Sequence, residues 1–162
     1  MNNRPNALQK LIHRLAMMRP VTAFFANYLH RIDGMVLRFT KEKHTFSEII
    51  GWPIVQLTTI GAKSGKSHTL PLIGLINGER IGLIASSFGR QHNPSWYYNL
   101  KAFSECDVQF NGRSGKYIAR ETSGDEREKY WNMALSYYKG YELYAIRAAH
   151  RQIPVMVLVP VK

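Results

Sequence analysis

The stretch TLPLIGLINGERIGLIA, residues 69–85, decides the fold of this chain. It contains two apolar, β-rich runs, residues 69–76 and 81–85, with the pair Asn77-Gly78 between them. Asn-Gly is a preferred pair for a tight hairpin turn, because such turns need positive φ angles that most other residues avoid. The stretch therefore predicts two antiparallel strands joined by a short turn.

Four more runs have the composition of strands: residues 54–60, 105–110, 116–122 and 155–159. A second hairpin signal, Asn111-Gly112, joins the middle two of these runs. Helices are inserted late: one has Asn93 as its cap and Pro94 at its first helical position, and another opens with the capping box Ser123-x-x-Glu126 and is interrupted at Gly140. We therefore expect an α+β, mainly β, fold: a small barrel of about six antiparallel strands capped by helices.

The N-terminal third has a different pattern. Residues 6–19 and 22–32 carry apolar side chains at the helical period, with basic side chains elsewhere. We expect residues 1–50 to form amphipathic helices on or beside a barrel of residues 51–162, the two making a single globular domain. Because the helices are basic, they can alternatively lie on an anionic membrane surface.

Charge and cysteine content narrow the classes of function. The 162 residues include 22 Lys and Arg against 11 Asp and Glu, a formal charge of +11. This balance favours a polyanion, an anionic membrane or a phosphorylated ligand, but no nucleic-acid-binding module is recognisable, so we expect no nucleic acid partner. The single cysteine, Cys106, excludes an internal disulfide, and the scattered histidines do not predict a metal site. We expect a cytoplasmic protein, peripheral at most to the inner face of the membrane.

Residues 61–68, GAKSGKSH, are the first candidate for ligand binding. A loop of glycines and small polar residues between two strands can direct several backbone N–H groups at one anion, and Lys63, Lys66 and His68 add positive charge. A solvated hairpin tip is the alternative interpretation.

The second candidate is the stretch ASSFGRQHNPSWYYN, residues 85–99. A strand end leads through a glycine-containing loop to a helix N-terminus, which can bind an anion, and the aromatic residues that follow can stack on a flat ligand. Trp96 and Leu100 are one helical turn apart, so this pattern favours core packing for Trp96 and leaves the role of the tyrosines open.

Tyrosines form the third candidate. Tyr138, Tyr141 and Tyr144 recur at intervals of three residues, close to Tyr137. A phenol can donate a proton or a hydrogen bond to a substrate oxygen, although such residues more often pack at an amphipathic surface. Cys106 falls within a predicted strand, where an inert buried thiol is expected.

Taken in order, the blocks LTTIGAKSGKSHTLPL, IASS, HNPSWYYNL, ARETSGDEREKYW and YYKGYELYAIRAAHRQIPVMVL resemble the deazaflavin-dependent nitroreductases of the flavin/deazaflavin oxidoreductase superfamily. The resemblance implies a split β-barrel of the FMN-binding, pyridoxamine phosphate oxidase type. It also implies an oxidoreductase that transfers a hydride from reduced coenzyme F-420, an 8-hydroxy-5-deazaflavin, to a quinone, a nitroaromatic or another activated acceptor. The oligomeric state it implies is a monomer or a homodimer.

The resemblance assigns roles position by position. It implies that Tyr141 is catalytic, standing beside the deazaflavin ring and the substrate. The substrate pocket would be lined by Ile73, Tyr138 and Tyr144. The cofactor would be bound by Ala62, Lys63, Ser64, Lys66, His68, Thr69, Leu70, Pro71, Leu72, Ile73, Ile84, Ala85, Ser86, Ser87, Ser95, Trp96, Tyr97, Tyr98, Asn99 and Tyr141.

Two positions depart from the family pattern, because Ala62 and His68 stand where the family usually has arginine. A histidine or lysine does not reproduce the two-pronged fit of a guanidinium to phosphate. A smaller phosphorylated flavin such as FMN is therefore an alternative cofactor. The alternatives in function are an FMN-binding split-barrel reductase and a non-catalytic protein that binds a flavin, haem or tetrapyrrole.

Overall fold

The computed structural model describes residues 52–161; residues 1–51 and Lys162 lie outside the described residues, and so do the predicted N-terminal helices. The strands are β1 (Ile54–Ile60), β2 (Ser67–Ile73), β3 (Leu75–Asn77), β4 (Arg80–Ile84), β5 (Glu105–Phe110), β6 (Arg113–Glu121) and β7 (Val155–Pro160). The helices are α1 (Ser95–Ala102), α2 (Gly124–Tyr137) and α3 (Gly140–Arg147), and a single 3-10 turn covers Ser87–Gly89. Within residues 52–161, no helix has the length and apolar character needed to span a bilayer.

One antiparallel sheet contains all seven described strands, in the order β2-β1-β5-β6-β7-β4-β3. Its two outermost strands, β2 and β3, are consecutive in the chain and are separated only by Gly74. Because one residue cannot span a flat seven-stranded sheet, the sheet must curl until its two edges approach each other. This curled antiparallel sheet with inserted helices confirms the expected fold class, a split β-barrel.

The strand count is seven because the run at residues 69–76 divides at Gly74. A side chain on this glycine would bring its Cβ to 2.6 Å from Cγ1 of Val55, a distance that real Cβ atoms do not adopt. Before Gly74 the chain pairs with β1, and after it the chain pairs with β4. Gly74 therefore provides the corner at which one predicted strand becomes two.

The two Asn-Gly signals mark real hairpins. In the β5–β6 hairpin, Phe110 pairs with Arg113, and Asn111 and Gly112 have φ angles of 49° and 72°. Two consecutive positive φ angles are the signature of the type I′ turn that this pair favours. In the β3–β4 hairpin, Asn77 is the last strand residue and pairs with Arg80, so the loop begins at Gly78.

The core lies inside the curl and is built from alternating strand positions together with one face of α1. Val55 and Leu57 on β1 have no exposed surface. Trp96 and Leu100 on α1 are also buried and belong to the same cluster. The interpretation of Trp96 as a core residue, one helical turn from Leu100, is therefore confirmed.

The outer side of β4 is covered by α2. Ile81 and Leu83 belong to the inner core, so the alternating residue Gly82 faces the other way. A Cβ at Gly82 would lie 2.3 Å from Cδ1 of Tyr130, and Tyr130 is 1% exposed. The Tyr130 ring thus packs directly on the strand backbone and fixes α2 against the sheet.

Both predicted helix caps are wrong in detail. The helix α1 begins one residue later than expected: Pro94 is its extended N-cap residue, and the side chain of Asn93 accepts a hydrogen bond from Arg151. Ser123 does precede α2, but its side chain makes no capping hydrogen bond. Its capping-box partner Glu126 instead accepts two hydrogen bonds from Arg120, at 2.6 and 2.7 Å, which lower the pKa of Glu126.

Cys106 is the buried thiol that the sequence predicts. Burial raises its pKa to about 12, and the charge of Asp107 contributes. Because the thiolate is the reactive form, we expect native protein to resist alkylation by iodoacetamide at about pH 8 and urea-unfolded protein to react fully. Mass spectrometry of the labelled protein checks this, and rapid labelling of the native protein would contradict the burial.

Candidate functional site

A cleft of ≈ 820 Å³ opens where β1 ends, β2 begins and α1 begins. Its volume lies in the range of small-molecule and cofactor sites. The residues that line it are Thr59, Gly61, Ala62, Lys63, Ser64, His68, Thr69, Leu70, Asn93, Ser95, Trp96, Tyr98 and Asn99. The fold therefore joins the first two stretches that the sequence singles out, the loop at 61–68 and the start of α1, in one site.

The loop between β1 and β2 is folded largely on itself. The N–H of Gly61 donates to the carbonyl of Lys66, and the N–H of Gly65 donates to the carbonyl of Gly61, both at 2.8 Å. The N–H of Lys66 donates to Oγ of Ser64 at 3.3 Å. These three amides are thus used within the loop and are not open to an anion in the cleft.

Asn99 fastens this loop to α1 and to the barrel. Its Oδ1 accepts a hydrogen bond from the N–H of Ala62 at 3.0 Å, and its Nδ2 donates to Oγ1 of the buried Thr59 at 3.1 Å. Both ends of the amide are therefore engaged, and the side chain is buried. Asn99 therefore fixes the position of the loop relative to α1. The site is then already formed before a ligand binds.

The charges around the cleft favour an anion. Lys63 and His68 line it, and none of the described residues in its lining is Asp or Glu. The hydroxyl of Ser64 lies 3.2 Å from Nε2 of His68, so these two side chains present one polar surface. The N-terminus of α1, at Ser95, also faces the cleft and carries the positive end of the helix dipole.

Two aromatic side chains complete the cleft wall. Trp96 is 4% exposed and belongs to the core cluster, and it also lines the cleft. Tyr98 is 48% exposed and packs edge-to-face against Tyr97 at 5.3 Å between ring centroids. Such flat apolar surfaces suit a ring-containing ligand.

The other residues predicted to bind the cofactor lie outside this lining. Lys66 is exposed on the same loop, Pro71, Leu72 and Ile73 are half-buried further along β2, and Ile84, Ala85, Ser86 and Ser87 follow one another at the end of β4. Tyr97 points away, because its hydroxyl donates to Oε2 of Glu121 at 3.0 Å. Burial and this hydrogen bond raise the pKa of Tyr97 to about 12.

The three tyrosines 138, 141 and 144 form a separate buried group, here called the tyrosine cluster. The three pairs of ring centroids are 5.9 to 6.0 Å apart, and the hydroxyls of Tyr138 and Tyr144 lie 3.4 Å from each other. Gly140 makes this packing possible, because a Cβ there would lie 2.2 Å from the Tyr138 ring. Burial raises the pKa of all three phenols, so at neutral pH they are hydrogen-bond donors in their protonated form.

Three lining residues, Thr59, Gly61 and Asn93, are not among the cofactor-binding residues that the resemblance assigns. Thr59 lies within β1, immediately before the loop, and an inward-facing hydroxyl at a strand end is the signal that could have identified it. Asn93 was interpreted as a helix cap, and the contact with Arg151 that holds it at the cleft is distant in sequence.

The chain is similar in sequence and fold to proteins of one family. The model of the F420H(2)-dependent quinone reductase family matches residues 30–160. A Mycobacterium tuberculosis protein to which that activity is provisionally assigned is 29% identical over 108 residues, covering 67% of this chain and 90% of the relative. A solved F420-H2-dependent reductase, FDR-A, is 38% identical with a TM-score of 0.61, covering 66% of this chain and 94% of its own. A solved domain-swapped dimer is 32% identical with a TM-score of 0.63, covering 82% and 98%. This chain therefore belongs to the F420H(2)-dependent quinone reductase family.

Proposed function

We propose that the cleft between β1, β2 and α1 holds the anionic part of reduced coenzyme F-420, and that this chain uses the cofactor to reduce a quinone. The observation that carries the proposal is the composition of the cleft. It combines Lys63, His68 and a helix N-terminus with aromatic walls, and its described lining includes no carboxylate. Such a site fits a ligand that has both a phosphate and a ring system.

The fit to the cofactor can be assigned residue by residue. Lys63, His68 and Ser64 would hold the phosphate, because they line the cleft together and offer a cation and two polar groups. Thr69 and Leu70, at the start of β2, would place the backbone of that strand beside the ring. When bound, the reduced deazaflavin supplies the hydride, and the protein supplies orientation and exclusion of water.

The tyrosine cluster would provide the acceptor side of the reaction. We propose that the hydroxyl of Tyr141 donates a hydrogen bond to the quinone oxygen on which negative charge develops. Burial raises its pKa, so the hydroxyl keeps its proton at neutral pH. Ile73, Tyr138 and Tyr144 would form the surrounding apolar wall, which keeps water from the reacting atoms.

Reversing the charge of Lys63 tests the cofactor site. We expect Lys63→Glu to weaken deazaflavin binding about tenfold or more, because a cation facing a phosphate is replaced by an anion. The measurement is the dissociation constant from quenching of deazaflavin fluorescence at low salt. The effect should shrink as salt is added, since Lys63 is exposed and its charge is screened.

A matched control is Lys129→Glu, which makes the same change of charge on the exposed side of α2, away from the cleft lining. The control should bind the deazaflavin within about twofold of the unchanged protein. Equal losses in the two variants would mean that overall charge, and not the cleft, governs binding. Unchanged binding by Lys63→Glu would reject the cleft as the phosphate site.

Two further predictions accompany this proposal. Because one relative is a domain-swapped dimer, a homodimer is the oligomeric state that we favour, and light scattering of the purified protein decides it.

Contact of residues 1–33 with an anionic membrane would bring the protein to the quinone pool. Flotation with anionic liposomes, with and without those residues, tests that contact.

A further inference from the structure

The guanidinium of Arg151 makes several hydrogen bonds to one short segment of the chain. It donates to the carbonyl oxygens of Ser86 at 3.0 Å and of Arg90 at 3.1 and 3.2 Å, and it also donates to Oδ1 of Asn93. A longer contact reaches the carbonyl of His92 at 3.5 Å. In the described part of the chain no Asp or Glu pairs with it. The side chain is therefore committed to one segment, residues 86–93, here called the β4–α1 loop.

The β4–α1 loop needs such a restraint. Ser87, Phe88 and Gly89 have φ angles of 48°, 58° and 79°, so three consecutive residues occupy the left-handed region. For residues other than glycine this conformation is costly and persists only where the surroundings impose it. Two neighbours impose it here, because Gly89 packs closely on α3 and Arg151 binds the carbonyls on both sides of the turn.

The loop also joins the two parts of the proposed site. At one end Asn93 lines the cleft. At the other, the ring of Phe88 packs edge-to-face on Tyr144 of the tyrosine cluster, with 5.8 Å between centroids. A shift of the loop would therefore move the cleft wall and the tyrosine cluster relative to each other.

We propose that Arg151 is a positioning residue of the reaction. By holding the β4–α1 loop in place, it fixes the position of Asn93 in the cleft wall relative to the tyrosine cluster. The inference rests on the proposed function of the cleft. It requires the forked geometry of a guanidinium, because one group reaches the Asn93 side chain and the Ser86 and Arg90 carbonyls together. A lysine keeps the charge but can satisfy only part of this set.

The test compares Arg151→Lys with Arg127→Lys. Arg127 is a matched control, because its guanidinium also donates to a backbone carbonyl, that of Ile153 at 3.2 Å, and lies over an aromatic ring, that of Trp131. Among residues 52–161, the hydrogen bond and the ring contact of Arg127 involve no residue of the cleft lining. For Arg151→Lys we expect faster hydrogen exchange at the amides of Gly89 and Arg90, with the rest of the barrel unchanged. We also expect deazaflavin affinity to fall about tenfold, whereas Arg127→Lys should change neither reading.

Each outcome has a defined meaning. Exchange and affinity unchanged in Arg151→Lys would overturn the inference. So would equal losses in the two variants with equal falls in Tm, because the effect would then be general destabilisation. If the unchanged protein bound no deazaflavin, the proposed function would fail, and the exchange experiment alone would still decide whether Arg151 holds the loop.

Discussion

Replacing Tyr141 with phenylalanine is expected to lower kcat for quinone reduction about 100-fold, while deazaflavin affinity changes by no more than about threefold. The substitution removes one hydroxyl and keeps the ring, so the packing of the tyrosine cluster is preserved. The loss should appear in kcat, because the hydrogen bond strengthens as charge develops on the quinone oxygen. Steady-state kinetics with menadione, together with a fluorescence titration of the cofactor, separate the two quantities.

Tyr137→Phe is the control for this prediction. Tyr137 is the neighbouring residue at the end of α2, is half-buried, and is not part of the cluster. It should retain full activity. A Tyr141→Phe variant with normal kcat would show that the cluster is packing alone, and the acceptor would then have to bind elsewhere.

The largest loss of stability is expected for Tyr130→Ala, at about 3–5 kcal/mol in the free energy of unfolding. Tyr130 is 1% exposed, and its ring packs on the backbone of β4 at Gly82, so its removal leaves a cavity between α2 and the sheet. The variant also loses the hydrogen bond between the Tyr130 hydroxyl and Nδ2 of Asn77, which is long at 3.4 Å. Urea unfolding followed by circular dichroism gives the free energy.

Tyr130→Phe isolates the hydroxyl, and we expect it to cost no more than about 1 kcal/mol, as is usual for one neutral hydrogen bond. The difference between the two variants is then the contribution of the ring. A Tyr130→Ala variant that lost less than about 1 kcal/mol would contradict the packing of α2 on β4.

The sequence predicted the fold well because its signals are local. Asn111-Gly112 specifies the geometry of its own turn, and runs such as residues 105–110 alternate as half-buried strands do. The division of the run at residues 69–76 into two strands at Gly74 is less visible in the sequence, although a glycine inside a strand pattern often marks a close backbone approach. What it approaches, Val55, is known only once the strands are paired.

The failures at the helix caps share one physical cause. A cap motif predicts a hydrogen bond within four residues, but distant groups can offer a stronger one. Glu126 pairs with Arg120 on β6, and Asn93 accepts from Arg151, which is 58 residues away. Charge-assisted bonds of this kind are stronger than the neutral ones they displace.

Part of the candidate site was predictable because it too has local sequence signals. The loop at 61–68 and the start of α1 carry local signals for an anion and a ring, and the fold places them around one cleft. The clamp by Arg151 and the anchoring of the loop by Asn99 depend on tertiary contacts. No single stretch of sequence contains that information.

The most direct measurement of the central claim is turnover by the purified 162-residue protein. Reduced coenzyme F-420 and menadione are mixed with the protein, and the return of the oxidised deazaflavin is followed by its fluorescence, with reduced FMN in a parallel reaction. We predict protein-dependent oxidation of the deazaflavin that requires menadione and is about 100-fold slower in Tyr141→Phe. Oxidation no faster than without protein, or a reaction supported by FMN and not by the deazaflavin, would contradict it.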